Sequence, residues 1–183
     1  MARVIHVMAL GVWFGSNVYF IIAAPGIFGA FQDLGWLPLP ANLPPDQAAR
    51  RLAGIAIEPL FAVYFPLQAI CAALALGTAF GWRNLESPPS HRRRLTFISV
   101  AILCLIVGWP IARYVGNLRG ERYSTDPSVA SAADAAFGTW HAASLAFNFL
   151  TLISAGVALA FASQLPHSAP VSNGLNRKTD ATA

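Results

Sequence analysis

Three ionisable residues stand at the ends of long uncharged stretches and form the best polar constellation in the sequence. Glu58 opens the second stretch, Arg113 follows the third, and His141 lies just inside the fourth. In successive antiparallel helices, all three would reach the same membrane face. Ionisable groups near a bilayer tend to pair or to line a cavity. Two interpretations stay open: an interfacial ion pair of Glu58 and Arg113 with His141 as a hydrogen-bonding neighbour, or an anion or proton site at the outer mouth.

Three amide side chains occupy the middle of these stretches: Asn17, Gln68 and Asn148. Uncharged amides at this depth usually form hydrogen bonds between helices, and the alternative is that they line a substrate path. No acid or base stands near the centre of any stretch. This pattern argues against a proton-coupled pump and against hydrolysis within the membrane.

The histidines and cysteines do not form a pattern typical of a cofactor site. A haem held by two histidines needs both at similar depth, whereas His6 and His141 are expected about 20 Å or more apart along the membrane normal. We find no HxxxH, HxxE or Cys/His cluster. Cys71 and Cys104 fall inside predicted spans and are interpreted as packing residues. We predict no metal, no cofactor, and no catalytic residue, because no nucleophile–base pair or phosphate loop occurs.

Four uncharged stretches set the fold class: Val4–Phe31, Pro59–Trp82, Leu95–Ala112 and Ala135–Ser163. A helix needs about 20 apolar residues to cross a hydrocarbon core of about 30 Å, and each stretch is long enough. The chain is 56% hydrophobic and only 11% charged, with a mean hydropathy of +0.54. The sequence predicts an all-α integral membrane four-helix bundle with spans at about 4–31, 55–82, 94–116 and 135–163.

Prolines mark the predicted helices and their connections. Pro25, Pro66 and Pro110 fall inside spans and are expected to kink them. Residues 1–163 are predicted to form one transmembrane domain, followed by a polar tail over 164–183. The first span is interpreted as a retained helix, because its apolar run exceeds the 7–15 residues or so of a signal peptide.

The basic residues predict the orientation of the chain. Seven Lys and Arg residues fall on the face that holds both termini and five on the other, so both termini are expected in the cytoplasm of a bacterial inner membrane. The net charge is +4, but the arginines stand in short loops beside apolar segments. They are expected to meet lipid head groups, and nucleic acid is not a predicted partner.

Small residues at four-residue spacing predict close helix packing. The first helix has Gly11 and Gly15, and the second has the series Ala69, Ala73, Gly77 and Gly81. The interface is expected either inside the bundle or with another chain. The tryptophans and most tyrosines, Trp13 and Tyr64 among them, are interpreted as interfacial belt or packing residues.

Several short motifs resemble a known family. They are His6 with Trp13-Phe14-Gly15, Leu60-Phe61 with Tyr64-Phe65, Ala112-Arg113, and Trp140-His141 continuing to Ser144 and Asn148. In this order they resemble a small four-pass family that includes a cisplatin-resistance-associated transmembrane protein, and whose bacterial relatives carry a domain of unknown function. The resemblance implies a four-helix membrane fold and no established reaction. It implies a polar signature of His6, Glu58, Arg113, His141, Ser144 and Asn148.

Two functions are expected above others. The first is a non-catalytic accessory or scaffold subunit of a larger membrane complex, such as a respiratory or photosynthetic one, with the lipid bilayer and other membrane subunits or a second copy as partners. The alternative is an oligomeric protein that exports or transports a small solute, a metal complex or a drug. A membrane enzyme is the least supported class.

Overall fold

The computed structural model describes residues 2–33, 44–81 and 88–163, and these ranges are almost entirely helical. They form α1 (Ala2–Asp33), α2 (Pro45–Gly81), α3 (Pro88–Glu121) and α4 (Pro127–Ser163). No strand occurs within the described ranges, and all four helices are long and apolar enough to cross a membrane. The predicted all-α four-helix membrane bundle is confirmed. The predicted tail over 164–183, and Trp36 and Trp82, lie outside the described residues.

Every helix is longer than its predicted span. α2 begins at Pro45 instead of residue 55, α3 runs from Pro88 to Glu121 instead of 94–116, and α4 begins at Pro127 instead of residue 135. Helices of 32 to 37 residues measure about 48–56 Å, against a hydrocarbon core of about 30 Å. Charged residues are tolerated where a helix leaves the hydrocarbon. An uncharged run therefore marks the membrane part of a helix and not its ends.

The start of α4 shows how local sequence sets a helix boundary. The Asp126 carboxylate accepts hydrogen bonds from the Ser128 amide (2.8 Å) and the Ser128 hydroxyl (2.7 Å). These bonds lower the pKa of the Asp126 carboxyl below its ordinary value. Pro127 takes the first helical position, where its missing N–H is not needed. A cap, a proline and a short turn thus make α3 and α4 an antiparallel hairpin.

The helices run up and down around a ring. Each helix packs on its neighbours in sequence, and α1 closes the ring against α4. Across α1 and α2, for example, His6 meets Thr78 and Trp13 meets Gln68. We call the end where α1 begins and α4 ends the basal end, and the opposite end the distal end.

The basal half contains the densest packing of small residues. Fully buried alanines from three helices meet there: Ala75, Ala79, Ala101, Ala155, Ala158 and Ala162. Leu10 and Trp13 of α1 and Ile98 of α3 complete this core, and each is 0% exposed. Alanine lets helix backbones approach closely, so this half of the bundle is filled.

Large apolar side chains cover the outer surface of the bundle. Tyr19, Ile22 and Val63 are each more than 65% exposed. So large an apolar surface is typical of contact with lipid.

Three of the helices continue through internal prolines, which are Pro25 in α1, Pro59 and Pro66 in α2, and Pro110 in α3.

Candidate functional site

A hydrogen-bonded network at mid-depth joins three helices. The Trp13 indole N–H donates to Gln68 Oε1 over 3.0 Å. The Tyr64 hydroxyl lies 2.9 Å from Asn17 Oδ1 and 3.1 Å from Asn148 Oδ1. Asn17 Nδ2 lies 3.4 Å from Gln68 Oε1. The structure therefore brings together Asn17, Gln68 and Asn148, the three amides singled out in the sequence.

Trp13 and Tyr64 hold this network together, and their polar role was not part of their predicted assignment. Trp13 is 0% exposed and Tyr64 is 6% exposed, so neither belongs to an interfacial belt. Both lie one helical turn from an amide of the network, Trp13 before Asn17 and Tyr64 before Gln68. Residues four apart share a helix face, and that spacing is the sequence signal for the network.

The network has more acceptors than donors where it meets Asn148. The Asn17 amide donates to the Trp13 carbonyl over 2.8 Å, and the Asn148 amide donates to the Ser144 carbonyl over 3.0 Å. These bonds orient both Oδ1 atoms toward the Tyr64 hydroxyl. That hydroxyl has one proton, so it serves one amide oxygen at a time. Elsewhere in the network, buried Gln68 Nε2 has no acceptor among the described residues.

A cavity of about 400 Å³ extends from this network toward the distal end. Aromatic side chains form much of its wall, namely Phe20, Phe28, Phe61 and Phe149. Five polar side chains line it: Tyr64, Arg119, His141, Ser144 and Asn148. A mostly apolar cavity with a few placed polar groups is the usual form of a small-molecule site.

Helix periodicity explains why these polar residues share one cavity. His141, Ser144 and Asn148 follow a spacing of three and four on α4, and Ala112, Val115 and Arg119 follow the same spacing on α3. Such positions lie on one helix face. Each triplet spans seven residues, or about 10 Å along the helix. We call this space the distal cavity. It has a deep end at Asn148 and a distal end at Arg119 and His141.

Arg119 is the functional candidate that the predicted constellation lacks. Its side chain is half-buried and crosses α2 at Gly54, where an added Cβ would lie 2.6 Å from Arg119 Cδ. Its guanidinium carbon lies 6.0 Å from the centre of the Phe28 ring on α1. The predicted third span ends at residue 116, so Arg119 falls beyond it. The three-and-four spacing from Ala112 is the signal that extends the helix to this residue.

The predicted ion pair of Glu58 and Arg113 is not formed. Both residues are exposed and border a second cavity, of about 410 Å³, between α2 and α3. Neither has an ion-pair partner within 4.0 Å among the described residues. Arg113 directly follows Ala112, so its side chain points about 100° away from the helix face that lines the distal cavity. Glu58 also borders a third, smaller cavity of about 180 Å³ together with Arg119.

His141 is separated from Arg113 for the same reason. His141 lines the distal cavity and stacks on Phe137, one turn earlier on α4, with 5.2 Å between the ring centres. The three residues of the predicted constellation therefore do not meet. The arginine that lines the cavity together with His141 is Arg119 and not Arg113.

A second buried polar group lies at the basal end. The His6 Nδ1 atom lies 2.8 Å from the Thr78 hydroxyl, and Arg94 Nη2 lies 3.5 Å from His91 Nδ1. His6 and Arg94 are 0% exposed, and His91 is 6% exposed. His91 and Arg94 both lie in the first turns of α3, which begins at Pro88. His6 and His141 lie in opposite halves of the bundle.

The glycines of the predicted small-residue interface do not face another helix of the bundle, whereas Ala69 packs against the core. A Cβ added at Gly11, Gly15, Gly77 or Gly81 would have no neighbouring atom within 4 Å in the described structure. Ala73 is exposed and Ala69 is half-buried. The close approaches occur elsewhere: a Cβ added at Gly156 would lie 3.0 Å from the Phe14 ring, and one added at Gly108 would lie 3.3 Å from Phe147 Cβ.

The described residues include no group of three His, Cys, Asp or Glu side chains that could hold a metal ion. Cys71 and Cys104 are free and buried on different helices. The polar atoms around the cavity are amide, hydroxyl, imidazole and guanidinium groups. They are suited to hydrogen bonding and to holding an anion.

Comparison with known sequences places the chain in a family. The profile of a domain of unknown function (DUF4149) matches residues 8–123, which is more than half of the 183-residue chain and covers the region from α1 to the end of α3. Searches of curated proteins and of solved structures give no match. The chain has four helices that are long and apolar enough to cross a membrane. The match shows that this multi-pass membrane protein belongs to the DUF4149 family.

Proposed function

We propose that the protein binds a small amphipathic solute in the distal cavity and takes part in its export or transport. The cavity is the observation that carries this proposal. Its volume of about 400 Å³ falls within the range of about 300–1,000 Å³ typical of ligand sites. Its polar side chains run from mid-depth at Asn148 to the distal end at Arg119, which is the arrangement expected of a solute path.

Binding without catalysis fits the polar groups of the cavity. Ser144 and His141 lie one turn apart and both line it, but the described structure shows no hydrogen bond between their side chains. A nucleophile needs an adjacent base within hydrogen-bond reach. We therefore propose that these residues contact a solute and do not form or break its bonds.

Thiol labelling tests whether the cavity admits solutes. In a background with Cys71 and Cys104 replaced by alanine, Ser144→Cys is compared with Ser154→Cys. Both serines are buried on α4, but only Ser144 lines the cavity. We expect an anionic, water-soluble methanethiosulfonate reagent to modify Ser144→Cys and to leave Ser154→Cys unmodified in reconstituted vesicles. Equal or absent labelling of the two variants would overturn the proposal.

Solute flux separates transport from binding alone. Radiolabelled phenylpropionate is a suitable probe, because its ring matches the aromatic wall and its charge keeps it in water. We expect uptake into vesicles that contain the protein, reduced by Arg119→Gln and unchanged by Arg113→Gln, since Arg119 lines the cavity and Arg113 does not. Saturable labelling protection without uptake would limit the function to binding.

A second candidate is the accessory or scaffold subunit. Its supporting observation is the row of Ala69, Ala73, Gly77 and Gly81, which lies along α2 with open space beside both glycines. Such a row suits close contact with a helix of another chain. Mild solubilisation followed by native mass measurement tests it. Co-purifying subunits, lost on Gly77→Leu, would support the role, and a monodisperse monomer would contradict it.

We further propose that the chain is a bacterial relative of the cisplatin-resistance-associated transmembrane protein and lies in the inner membrane. The excess of basic residues on the basal side supports cytoplasmic termini. Fusion of alkaline phosphatase or green fluorescent protein to the C-terminus tests this orientation. Fluorescence without phosphatase activity is expected, and the reverse result would contradict it.

A further inference from the structure

The cavity has chemically different ends, and this difference restricts its ligand. At the distal end, Arg119 is a half-buried cation whose guanidinium lies over the Phe28 ring. No carboxylate lies within 4.0 Å of it among the described residues. A half-buried guanidinium forms strong hydrogen bonds with an anion. Glu58 borders a neighbouring small cavity with Arg119 and its charge acts on Arg119 from there, but Glu58 does not line the distal cavity. The distal cavity therefore presents a cation that has no ion pair within 4.0 Å among the described residues.

The deep end presents hydrogen-bond acceptors. Asn148 Oδ1 and Asn17 Oδ1 both approach the Tyr64 hydroxyl, which has one proton to donate. Both amide groups are held in this orientation by bonds to the carbonyls four residues earlier. Tyr64 and Asn148 line the cavity, whereas Asn17 lies behind them and is 1% exposed. Asn148 is half-buried, and its Oδ1 shares this single donor with Asn17 Oδ1 and can accept a further hydrogen bond, so this end favours a ligand that brings a proton.

We infer that the solute is an amphipathic anion with a hydroxyl group at its far end, bound with its anionic group at Arg119 and its hydroxyl donating to Asn148 Oδ1. This inference rests on the proposed function and names its ligand class. The two ends lie about 10 Å apart along α3 and α4, which matches an acid with a ring or short chain between its two polar groups. The aromatic wall of Phe20, Phe28 and Phe61 encloses that apolar body.

Three soluble probes separate the parts of this inference. Para-hydroxyphenylpropionate has both the carboxylate and the hydroxyl, phenylpropionate lacks the hydroxyl, and tyramine has the hydroxyl with a cationic end. Their dissociation constants are measured by ligand-observed NMR on the protein in nanodiscs, with empty nanodiscs as the reference. We expect para-hydroxyphenylpropionate to bind about tenfold more tightly than phenylpropionate, as one hydrogen bond to a half-buried acceptor would give. Tyramine is expected to bind more weakly than either anion.

Variants assign each end to its residue. Asn148→Leu is expected to make the two anions bind equally, because the acceptor for the hydroxyl is gone. Arg119→Gln is expected to weaken both anions by about tenfold or more and to strengthen tyramine binding, because the repulsion between the two cations is removed. Arg113→Gln is the matched control, since it removes an arginine from the same helix outside the cavity. Its constants are expected to equal those of the unaltered protein.

The outcomes distinguish the inference from the proposed function. Equal binding of the two anions to the unaltered protein, or tightest binding of tyramine, would overturn the ligand class and leave a solute-binding cavity. An equal effect of Arg113→Gln and Arg119→Gln would overturn the assignment of the anionic end. If no probe binds beyond the level of empty nanodiscs, both the ligand class and the proposed function fail.

Discussion

The basal and distal halves of the bundle use the same four helices to opposite effect. In the basal half, alanines at facing positions of α2, α3 and α4 are fully buried and fill the interior. In the distal half, phenylalanines, a tyrosine and an arginine surround about 400 Å³ of open space. Small residues let helices close on one another, whereas in the distal half large aromatic side chains such as Phe20 and Tyr64, with ring centres 4.4 Å apart, border a cavity. The difference shows that side-chain size along the bundle separates a filled half from a half that contains a cavity.

The largest effect should come from overfilling the basal half. Ala155 is 0% exposed, so Ala155→Leu is expected to lower the free energy of unfolding by about 3 kcal/mol, the upper part of the usual cost of overpacking. Ala112 lines the cavity, and Ala112→Leu is expected to change stability by less than about 1 kcal/mol. Denaturant titration in detergent measures both. Equal losses would remove the contrast between the halves.

Substitutions in the hydrogen-bonded network between the two halves should cause the next largest loss of stability. Gln68→Leu leaves the buried Trp13 indole N–H without its acceptor and is expected to cost about 2 kcal/mol of stability. Tyr64→Phe removes the proton shared by two amide oxygens and is expected to cost about 1 kcal/mol. The same denaturant titration checks the order of the two. A larger loss for Tyr64→Phe would show that the shared proton stabilises the bundle more than the Trp13 bond.

A smaller effect should follow from moving Arg119 without removing it. A Cβ at Gly54 would lie 2.6 Å from Arg119 Cδ, whereas one at Gly116 would have no atom within 4 Å. The arginine can shift, so Gly54→Ala is expected to change stability by less than about 1 kcal/mol. It is expected to weaken phenylpropionate binding severalfold, and Gly116→Ala to leave it unchanged. If both variants bind alike, the position of Arg119 does not control the distal end.

The smallest effect concerns the cap of α4, outside the membrane. The pKa of Asp126 is lowered by its bonds to Ser128, so its stabilising contribution is present above the unfolded-state pKa and is lost as pH falls through the folded-state value. The thermal midpoint of Asp126→Ala should therefore lie below that of the unaltered protein at pH 7, and the gap should close below about pH 4. A gap that is independent of pH would show that the carboxylate charge does not act as the cap.

Much of the fold could be predicted because the bilayer imposes a simple rule. A helix must keep charge out of the hydrocarbon, so the uncharged runs located all four helices. The rule does not apply beyond the hydrocarbon, and for that reason the ends of α2 and α4 differ from their predicted positions. Arg119 lies in such a region, and it could be recognised only by continuing the helical spacing from Ala112.

The polar site was predictable in part. Mid-depth amides are rare enough to identify Asn17, Gln68 and Asn148 by type and depth alone. Trp13 and Tyr64 could not be assigned by type, because the same side chains also serve as interfacial anchors and only packing separates the two roles. The pairing of Glu58 with Arg113 failed because shared depth does not imply a shared face, and one residue of offset turns a side chain by about 100°.

Ligand protection of a thiol in the cavity tests the central claim most directly. Ser144→Cys, in the background without native cysteines, is labelled with and without para-hydroxyphenylpropionate, and the modification rate is followed as the ligand concentration rises. A solute-binding distal cavity predicts a saturable fall in the rate, which Asn148→Leu shifts to higher ligand concentration. A rate that stays constant at every ligand concentration would contradict it.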